Sequence, residues 1–316
     1  RELPITAERG KILDRNGVVL ADNITTTSLI VIPNQISNKE EVAKTLSDIL
    51  NTDYNDMLEH VSKKTSIERI HPEGRGLSSE IADKINSYHY DGVYLVKESK
   101  RYYPYGNLLA HVLGYVGIDN QGLSGIELKY DEYLTGTDGK IKYYSDAKGN
   151  KLALNEVYEE ATAGLDIMLT IDYRIQASLE RELDNIVSMF QPDNALALAM
   201  DPNTGEILGM SSRPAFDPNN YQDYDMETLS RNLPIWMTYE PGSTFKIITT
   251  AAAVEEGVVN LEKDTFYDSG SVTVSGAKIR CWKSGGHGSQ TFLQVFENSC
   301  NLGVNTATHI NFKKAL

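Results

Sequence analysis

The spacing of apolar residues predicts a chain of mixed strands and helices. Residues 10–23 carry apolar positions on both sides of Arg15-Asn16-Gly17, and Asn-Gly favours a tight type I′ turn, so this segment is predicted to be a β-hairpin. Residues 39–64 repeat apolar positions at helical spacing, whereas residues 91–99 alternate as in a strand. Residues 100–160 are rich in Gly, Tyr, Asp and Lys, which indicates loops and strands without a long helix.

The pattern changes near residue 165. Residues 167–170 predict a short strand, and Asp172 then caps a helix. The apolar face of this helix is predicted to consist of Ile175, Leu179, Leu183, Ile186 and Phe190. The string "ALALAMDPNTGEILGMSS" follows and predicts two apolar strands joined at residues 202–205. Strand, helix, strand, strand indicates an α+β fold, with a domain boundary that divides the chain into residues 1–160 and 161–316.

Composition limits the classes of function. The 316 residues suit two domains, and 41% apolar with 23% charged residues is the balance of a protein with a buried core. A net charge of -14 argues against nucleic acid as a partner, because phosphate binding needs an excess of Lys and Arg. No apolar stretch approaches the ~20 residues of a membrane span, and no signal peptide opens the sequence. The two cysteines are too few for a disulfide scaffold.

A serine precedes a lysine by three positions at Ser145, Ser243 and Ser275, and only Ser243 opens a segment of helical composition, "FKIITTAAAVEEG". A helix places residues i and i+3 on one face, so the amine of Lys246 can reach the hydroxyl of Ser243. The helix N-terminus favours developing negative charge, and apolar surroundings lower the pKa of a lysine toward that of a base. The alternative is a serine that caps the helix beside a lysine that extends to solvent.

Ser299-Cys300-Asn301 forms a second candidate motif downstream of the first. Acyl enzymes built on serine and lysine need a further hydroxyl to relay the proton and an amide to hold the substrate. A Ser-x-Asn triplet on one loop supplies both groups. The alternative is a turn that precedes a helix.

Longer strings carry a family resemblance. The strings "EPGSTFK", "DPNTGEILGMSSRPAFDPNNY" and "RNLPIWMTYEPGSTFKI" resemble the transpeptidase domain of class B penicillin-binding proteins. The strings "RGKILDRNGVVLA" and "ESKRYYPYGNLLAHVLGYVGIDNQGLSGIE" resemble the N-terminal pedestal of the same family. The resemblance covers nearly the whole chain. It implies a mixed pedestal or dimerisation-type module over residues 1–160 and a serine β-lactamase-like transpeptidase domain over residues 161–316.

The resemblance also implies roles for four residues. Ser243 would be the acylated nucleophile, Lys246 its general base, Ser299 the proton relay and Asn301 a ligand of the substrate backbone, with no cofactor required for catalysis. The implied activity is a peptidoglycan D,D-transpeptidase that cross-links stem peptides and is acylated by β-lactams, in sporulation cortex synthesis. The alternatives are a D,D-carboxypeptidase, a β-lactam-sensing domain, or a non-catalytic scaffold of a cell-wall synthesis complex.

The family resemblance further implies a setting. We expect a glycosyltransferase partner and a location on the extracytoplasmic face of the cell membrane, the forespore or septal membrane in particular, through an N-terminal anchor that this chain lacks.

This sequence departs from the family pattern in its third motif. The third motif, Lys-Ser/Thr-Gly, should follow Ser299, but Lys283-Ser284-Gly285 precedes it and no later match occurs. We therefore expect a transpeptidase domain that is incomplete at its C-terminal side. Activity is expected of the complete protein rather than of this fragment.

Two cysteines and a histidine suggest a metal site. If the family fold holds, Cys281, His287 and Cys300 converge beside the nucleophile, and Asp268 is expected to begin a strand that pairs with "KIRCW". Two thiolates, an imidazole and a carboxylate would suit a structural zinc ion. The alternatives are a Cys281–Cys300 disulfide, free buried thiols, and a histidine that only shapes its glycine-rich loop.

Overall fold

The structure, a computed structural model, describes residues 2–142, 157–274 and 276–304. The chain divides into two compact units, Arg1–Met237 and Thr238–Leu316. Both contain helices and strands, which confirms the predicted α+β class. Residues 161–237 belong to the same compact unit as the residues before them. The domain boundary at 160/161 stays a prediction.

In its described residues, the N-terminal unit combines three sheets with helices of 4 to 18 residues. Its strands are β1 Glu2–Ile5, β2 Ile12–Leu13, β3 Val19–Val31, β4 Glu68–Arg69, β5 Val93–Tyr102, β6 Gly139–Lys142, β7 Val157–Glu159, β8 Ile167–Met168, β9 Ala195–Met200 and β10 Ile207–Arg213. Its helices are α1 Lys39–Leu50, α2 Tyr54–Ser62, α3 Ser79–Ser87, α4 Ala110–Leu113, α5 Gly125–Lys129, α6 Asp131–Leu134, α7 Tyr173–Phe190, α8 Met226–Ser230 and α9 Leu233–Trp236. The strand orders are β4-β3-β2-β8 with β5 beside β3, β1-β6-β7, and β10-β9.

The predicted hairpin at residues 10–23 is confirmed by the antiparallel pair β2 and β3. The Asp14 carboxylate closes its turn by accepting hydrogen bonds from the backbone N–H groups of Asn16 and Val18. Strand β3 continues beyond the prediction and pairs with the whole of β5, which confirms the strand predicted at 91–99. Strands β9 and β10 likewise confirm the predicted second hairpin.

The helical pattern predicted over residues 39–64 is confirmed, but it is divided between two helices. Asn51 ends α1 in the left-handed conformation with φ 54°. Asp53 then caps α2 by accepting from the N–H groups of Asn55 and Asp56. An αL residue followed by an Asp cap stops one helix and starts another within a continuous apolar pattern. In the described part of 100–160 no helix exceeds five residues, as predicted.

Helix α7 confirms the predicted cap but not the whole predicted face. The Asp172 carboxylate accepts from the N–H groups of Arg174 and Ile175. Leu183 is buried, whereas Ile186 and Phe190 are 43% and 71% exposed, so the prediction was wrong for these two residues.

Two polar residues of α7 are buried in place of the expected apolar ones. The Glu180 carboxylate accepts a 2.6 Å hydrogen bond from Arg213 Nη1 and a second of 2.6 Å from Gln176 Nε2. A buried carboxylate and amide are tolerated here because each has a partner.

A buried ion network joins three segments of the N-terminal unit that are far apart in the sequence. Glu127 receives Arg9 Nε on one carboxylate oxygen and Arg101 Nε on the other, each at 2.7 Å. The Tyr103 hydroxyl donates to the same carboxylate at 3.2 Å. The three charged side chains are 2% exposed or less.

The C-terminal unit begins with a 3-10 turn, Gly242–Thr244, and helix α10, Phe245–Glu255. It continues with β11 Thr265–Asp268, β12 Ser271–Val274, β13 Ala277–Arg280, β14 Gly288–Thr291 and α11 Phe292–Glu297. Strand β11 pairs with β14, and β12 pairs with β13, both antiparallel. The core of the unit consists of Ala253, Val259, Phe292, Val295, Cys300, Leu302 and Val304. Cys300 therefore belongs to the core as well as to the second motif.

Candidate active site

Ser243 lies in the turn before α10 rather than inside the helix. Gly242 precedes it with φ 58°, a left-handed conformation that glycine adopts without strain. Ser243 is exposed. The helix itself buries Thr250 and Ala253, while Phe245, Ile247 and Ile248 are more than half exposed. The predicted helix is confirmed, but three of its large apolar side chains are exposed in the structure.

Lys246 is the centre of the described site. Its Nζ donates to the Ser299 carbonyl oxygen at 2.7 Å, to Ser299 Oγ at 3.1 Å and to Asn301 Oδ1 at 2.6 Å. Partial burial lowers the pKa of Lys246, and this effect is opposed by the nearby cysteines 300 and 281. Among the hydrogen bonds of the described residues none joins Lys246 to Ser243. The structure therefore brings together three of the four predicted residues, with Ser243 three positions before the lysine.

The loop that carries Ser299 is fixed by backbone hydrogen bonds. Ser299 has φ 50°, in the left-handed region that a non-glycine residue seldom adopts. Its N–H donates to Phe296 O at 2.9 Å, and the N–H of Cys300 donates to Val295 O at 2.9 Å. The side chains of residues 299 and 301 bond Lys246, while that of Cys300 is fully buried.

The four predicted metal ligands do come together. Asp268, Cys281, His287 and Cys300 each offer one ligand atom, and these atoms lie within 4.8 Å of one another. His287 Nδ1 is 3.0 Å from Asp268 Oδ2 and 3.3 Å from Cys281 Sγ, and Cys300 Sγ is 3.3 Å from Asp268 Oδ2. Both cysteines are free thiols.

The position of Asp268 differs from the expectation. It ends β11 instead of beginning a strand, and it pairs with Gly288 of β14 rather than with "KIRCW". The expected pairing with residues 277–280 does occur, but the strand that makes it is β12, which begins at Ser271 instead of Asp268. The β12–β13 hairpin returns the chain so that the N–H of Cys281 donates to Gly270 O, two residues after Asp268.

The geometry of this cluster fits a tetrahedral zinc ion. Zinc bonds of about 2.3 Å to sulfur and about 2.0 Å to nitrogen or oxygen give tetrahedral edges of about 3.5 Å for sulfur–nitrogen and sulfur–oxygen, and about 3.3 Å for nitrogen–oxygen. The observed distances are slightly shorter. They are 3.3 Å from Cys281 Sγ to His287 Nδ1, 3.3 Å from Cys300 Sγ to Asp268 Oδ2, and 3.0 Å from His287 Nδ1 to Asp268 Oδ2. These three pairs of ligand atoms would need only small outward shifts to surround one ion, and all the ligand atoms lie within 4.8 Å of one another.

The pKa values of Asp268 and Cys281 shift in opposite directions. Burial would raise the pKa of Asp268, but hydrogen bonds from the Cys281 thiol, the Gly270 N–H and His287 outweigh it and hold that pKa far below its usual range. Burial, together with the neighbouring Asp268, raises the pKa of the Cys281 thiol. A bound cation would instead lower the pKa of the Cys281 thiol, because it favours the thiolate.

Of the motifs set aside above, the structure describes the early Lys-Ser-Gly triplet but only one residue of the other Ser/Lys pairs. Lys283-Ser284-Gly285 lies in a bend and turn and not on a strand. Ser145, Lys148 and Ser275 lie outside the described residues, and Lys278 is on β13.

Family comparisons agree with this architecture. The penicillin-binding protein dimerisation domain matches residues 4–169, and the penicillin-binding protein transpeptidase domain matches residues 195–313. The chain therefore belongs to the penicillin-binding proteins that join a dimerisation domain to a transpeptidase domain.

Individual relatives make the relation more specific. The chain is 53% identical over 304 residues to stage V sporulation protein D of Bacillus subtilis (strain 168), covering 96% of this chain and 47% of that protein. It is 29% identical to the peptidoglycan D,D-transpeptidase FtsI of Escherichia coli (strain K12), covering 95% of this chain and 51% of that protein. The chain thus spans about half the length of the curated relatives it matches.

Solved structures show the same fold. Penicillin-binding protein 2X of Streptococcus thermophilus matches with a TM-score of 0.65 and 25% identity, over 97% of this chain and 50% of that chain. A complex of penicillin-binding protein PBP2 with MreC from Helicobacter pylori matches with a TM-score of 0.73 and 22% identity, over 98% and 64% of the two chains. Across the described ranges, no helix combines the length and apolar character that crossing a membrane requires.

Proposed function

We propose that the full-length protein is a peptidoglycan D,D-transpeptidase that acts through an acyl-enzyme on Ser243. The observation that carries the proposal is the position of Lys246 Nζ, which bonds both Ser299 Oγ and Asn301 Oδ1 and lies three residues after Ser243. The names of relatives such as FtsI support the same activity.

In the proposed mechanism, Lys246 as the neutral amine takes the proton of the Ser243 hydroxyl. Ser243 Oγ attacks the penultimate D-alanine carbonyl of a stem peptide, and the bond to the terminal D-alanine breaks. Ser299 relays the proton to the leaving amine, while the Asn301 amide holds the peptide backbone. An amine of a neighbouring stem then attacks the ester, forms the cross-link and releases Ser243. A β-lactam would stop at the ester.

Covalent labelling tests this proposal. Mass spectrometry of the full-length protein after exposure to penicillin should locate the adduct on Ser243, and Ser243→Ala should abolish it. Ser145→Ala and Ser275→Ala are matched controls, because these serines also precede a lysine by three positions. An adduct that persists in Ser243→Ala would contradict the assignment.

The alternatives differ in how the ester is resolved. A D,D-carboxypeptidase or a β-lactam-sensing domain would pass the acyl group to water or retain it, so an excess of acceptor amine would divert no product. A non-catalytic scaffold would take no penicillin even with Ser243 intact.

We further propose that Asp268, Cys281, His287 and Cys300 hold a structural zinc ion. Such an ion would fasten the second motif to β11 and to the segment after β13, and it would take no part in the acyl transfer. Elemental analysis of full-length protein should give about one zinc per chain, with loss in Cys281→Ser and retention in His89→Gln, an exposed histidine of the other unit. Metal-free wild-type protein with an intact Cys281–Cys300 disulfide in mass spectrometry would favour the disulfide alternative.

The biological setting is also a proposal. Similarity to stage V sporulation protein D supports a role in sporulation. We propose that this role is cortex synthesis, at the extracytoplasmic face of the forespore or septal membrane. The PBP2–MreC complex among the similar structures supports protein partners, and we propose a glycosyltransferase as one of them. Cross-linking in sporulating cells should recover a membrane glycosyltransferase with the full-length protein; recovery only from vegetative cells would contradict the sporulation role.

A further inference from the structure

The backbone around Ser299 is held at four points. The peptide group between Asn298 and Ser299 donates its N–H to Phe296 O. The next peptide group places the Ser299 carbonyl oxygen on Lys246 Nζ at 2.7 Å and donates the N–H of Cys300 to Val295 O. Three of the four polar groups that flank Ser299 are thus held by α11 and Lys246.

The fourth group is held by a surface side chain. The Asn298 carbonyl oxygen accepts a 2.8 Å hydrogen bond from Trp282 Nε1. This bond fixes the plane of the peptide group directly before Ser299, and that plane helps to set the unusual φ of 50°. Trp282 is 67% exposed, so its described contact with the loop is this hydrogen bond rather than deep burial of its ring.

Trp282 is itself well placed to hold the loop. Two positions before it, the carbonyl oxygen of Arg280 accepts a 3.0 Å hydrogen bond from Asn301 Nδ2. Its ring meets the His287 ring edge to face at 5.3 Å. The short segment 280–282 therefore contacts the motif loop before Ser299 and after it.

We propose that Trp282 is a positioning residue, whose indole N–H holds the Asn298–Ser299 peptide group so that Ser299 keeps its hydroxyl beside Lys246. This role rests on the proposed function of Ser299 as a proton relay. A left-handed non-glycine residue is strained by roughly 1–3 kcal/mol and persists only where its neighbours over-determine it. Trp282 supplies the side-chain hydrogen bond that the structure shows on the Asn298 carbonyl oxygen.

The test uses full-length protein with three changes. Trp282→Phe removes the donor and shrinks the ring, whereas benzothienylalanine at position 282 keeps the bicyclic shape and removes only the N–H. Trp236→Phe is the matched control, since Trp236 is the other tryptophan and packs under Arg231 in the N-terminal unit. Stopped-flow kinetics with a chromogenic cephalosporin separate the acylation rate constant from the affinity of the non-covalent complex. Hydrogen exchange followed by mass spectrometry reports on residues 298–301.

Both changes at position 282 should slow acylation about five- to tenfold, the effect of one ordinary hydrogen bond, with unchanged non-covalent affinity. Exchange of the Ser299 and Cys300 amides should be faster in both, and the control should match wild type. Wild-type rates in the benzothienylalanine protein would overturn the proposal, because ring packing would then suffice. If the wild-type protein takes no cephalosporin, the proposed function fails, and amide exchange alone then decides whether Trp282 holds the loop.

Discussion

Removal of the Glu127 carboxylate should strongly destabilise the N-terminal unit. This side chain is fully buried and neutralises two guanidinium groups, Arg9 and Arg101, at 2.7 Å each. In Glu127→Ala, Arg9 keeps a 2.8 Å ion pair with Asp131, but the hydrogen bond that Arg101 keeps is to the Gly10 carbonyl. Arg101 would then lose the one ion pair that the described residues give it and keep only the weaker through-space attraction of Asp22.

The size of the effect follows from that lost ion pair. Breaking a buried ion pair from one side costs about 3–5 kcal/mol. For a unit of this size, 1 kcal/mol corresponds to about 2–4 °C, so Tm should fall by about 6–20 °C. Glu127→Gln keeps an acceptor for one arginine, so its Tm should lie between those of the wild type and Glu127→Ala.

Thermal unfolding followed by circular dichroism measures this loss. Glu132→Ala is the matched control, because Glu132 is an exposed acid five residues along the same segment. A fall in Tm no larger than that of the control would show that water or rearrangement compensates Arg101, and the reasoning about its lost ion pair would be refuted.

Three further predictions address the caps, the close contacts and the site. Asp172→Ala should lower the free energy of unfolding by about 1 kcal/mol in denaturant titrations, because α7 loses its cap; an unchanged midpoint would contradict this. Gly164→Ala would place a Cβ 1.8 Å from the Leu134 carbonyl oxygen, so the variant should yield little folded protein, and normal yield with wild-type Tm would contradict the contact. Acylation by penicillin should accelerate as pH rises, with a midpoint below 10.5, since burial lowers the pKa of Lys246 and only the neutral amine is a base; a pH-independent rate would remove Lys246 from that role.

Local patterns predicted the local structure well. Asn-Gly between apolar runs predicted the β2–β3 hairpin, and Asp172 before a periodic segment predicted the start of α7, because turns and caps depend on neighbouring residues. The break at Asn51 was missed, since an αL residue within an apolar repeat leaves the periodicity intact.

Features that depend on distant residues were predicted less well. Glu180 is buried because Arg213, 33 positions away, neutralises it, and no pattern within α7 contains that information. The four cluster residues were identified by their chemistry and by family resemblance, and the chain does pair back onto residues 277–280. The strand that does so begins at Ser271 and not at Asp268, because Asp268 pairs with Gly288 in β14, a partner outside its own hairpin. The hydrogen bond of Trp282 to the Asn298 carbonyl has no sequence signature at all.

The hydrogen bonds of Lys246 determine when this lysine can act as a base. An ammonium group has three N–H donors, and Lys246 uses three, two on Ser299 and one on Asn301. A neutral amine has only two donors and a lone pair, so it must give up one of these bonds to become a base. If Lys246 serves Ser243 as we propose, the arrangement described here is a resting state, and entry of a substrate that competes for the Asn301 amide would be the event that frees the lysine to react.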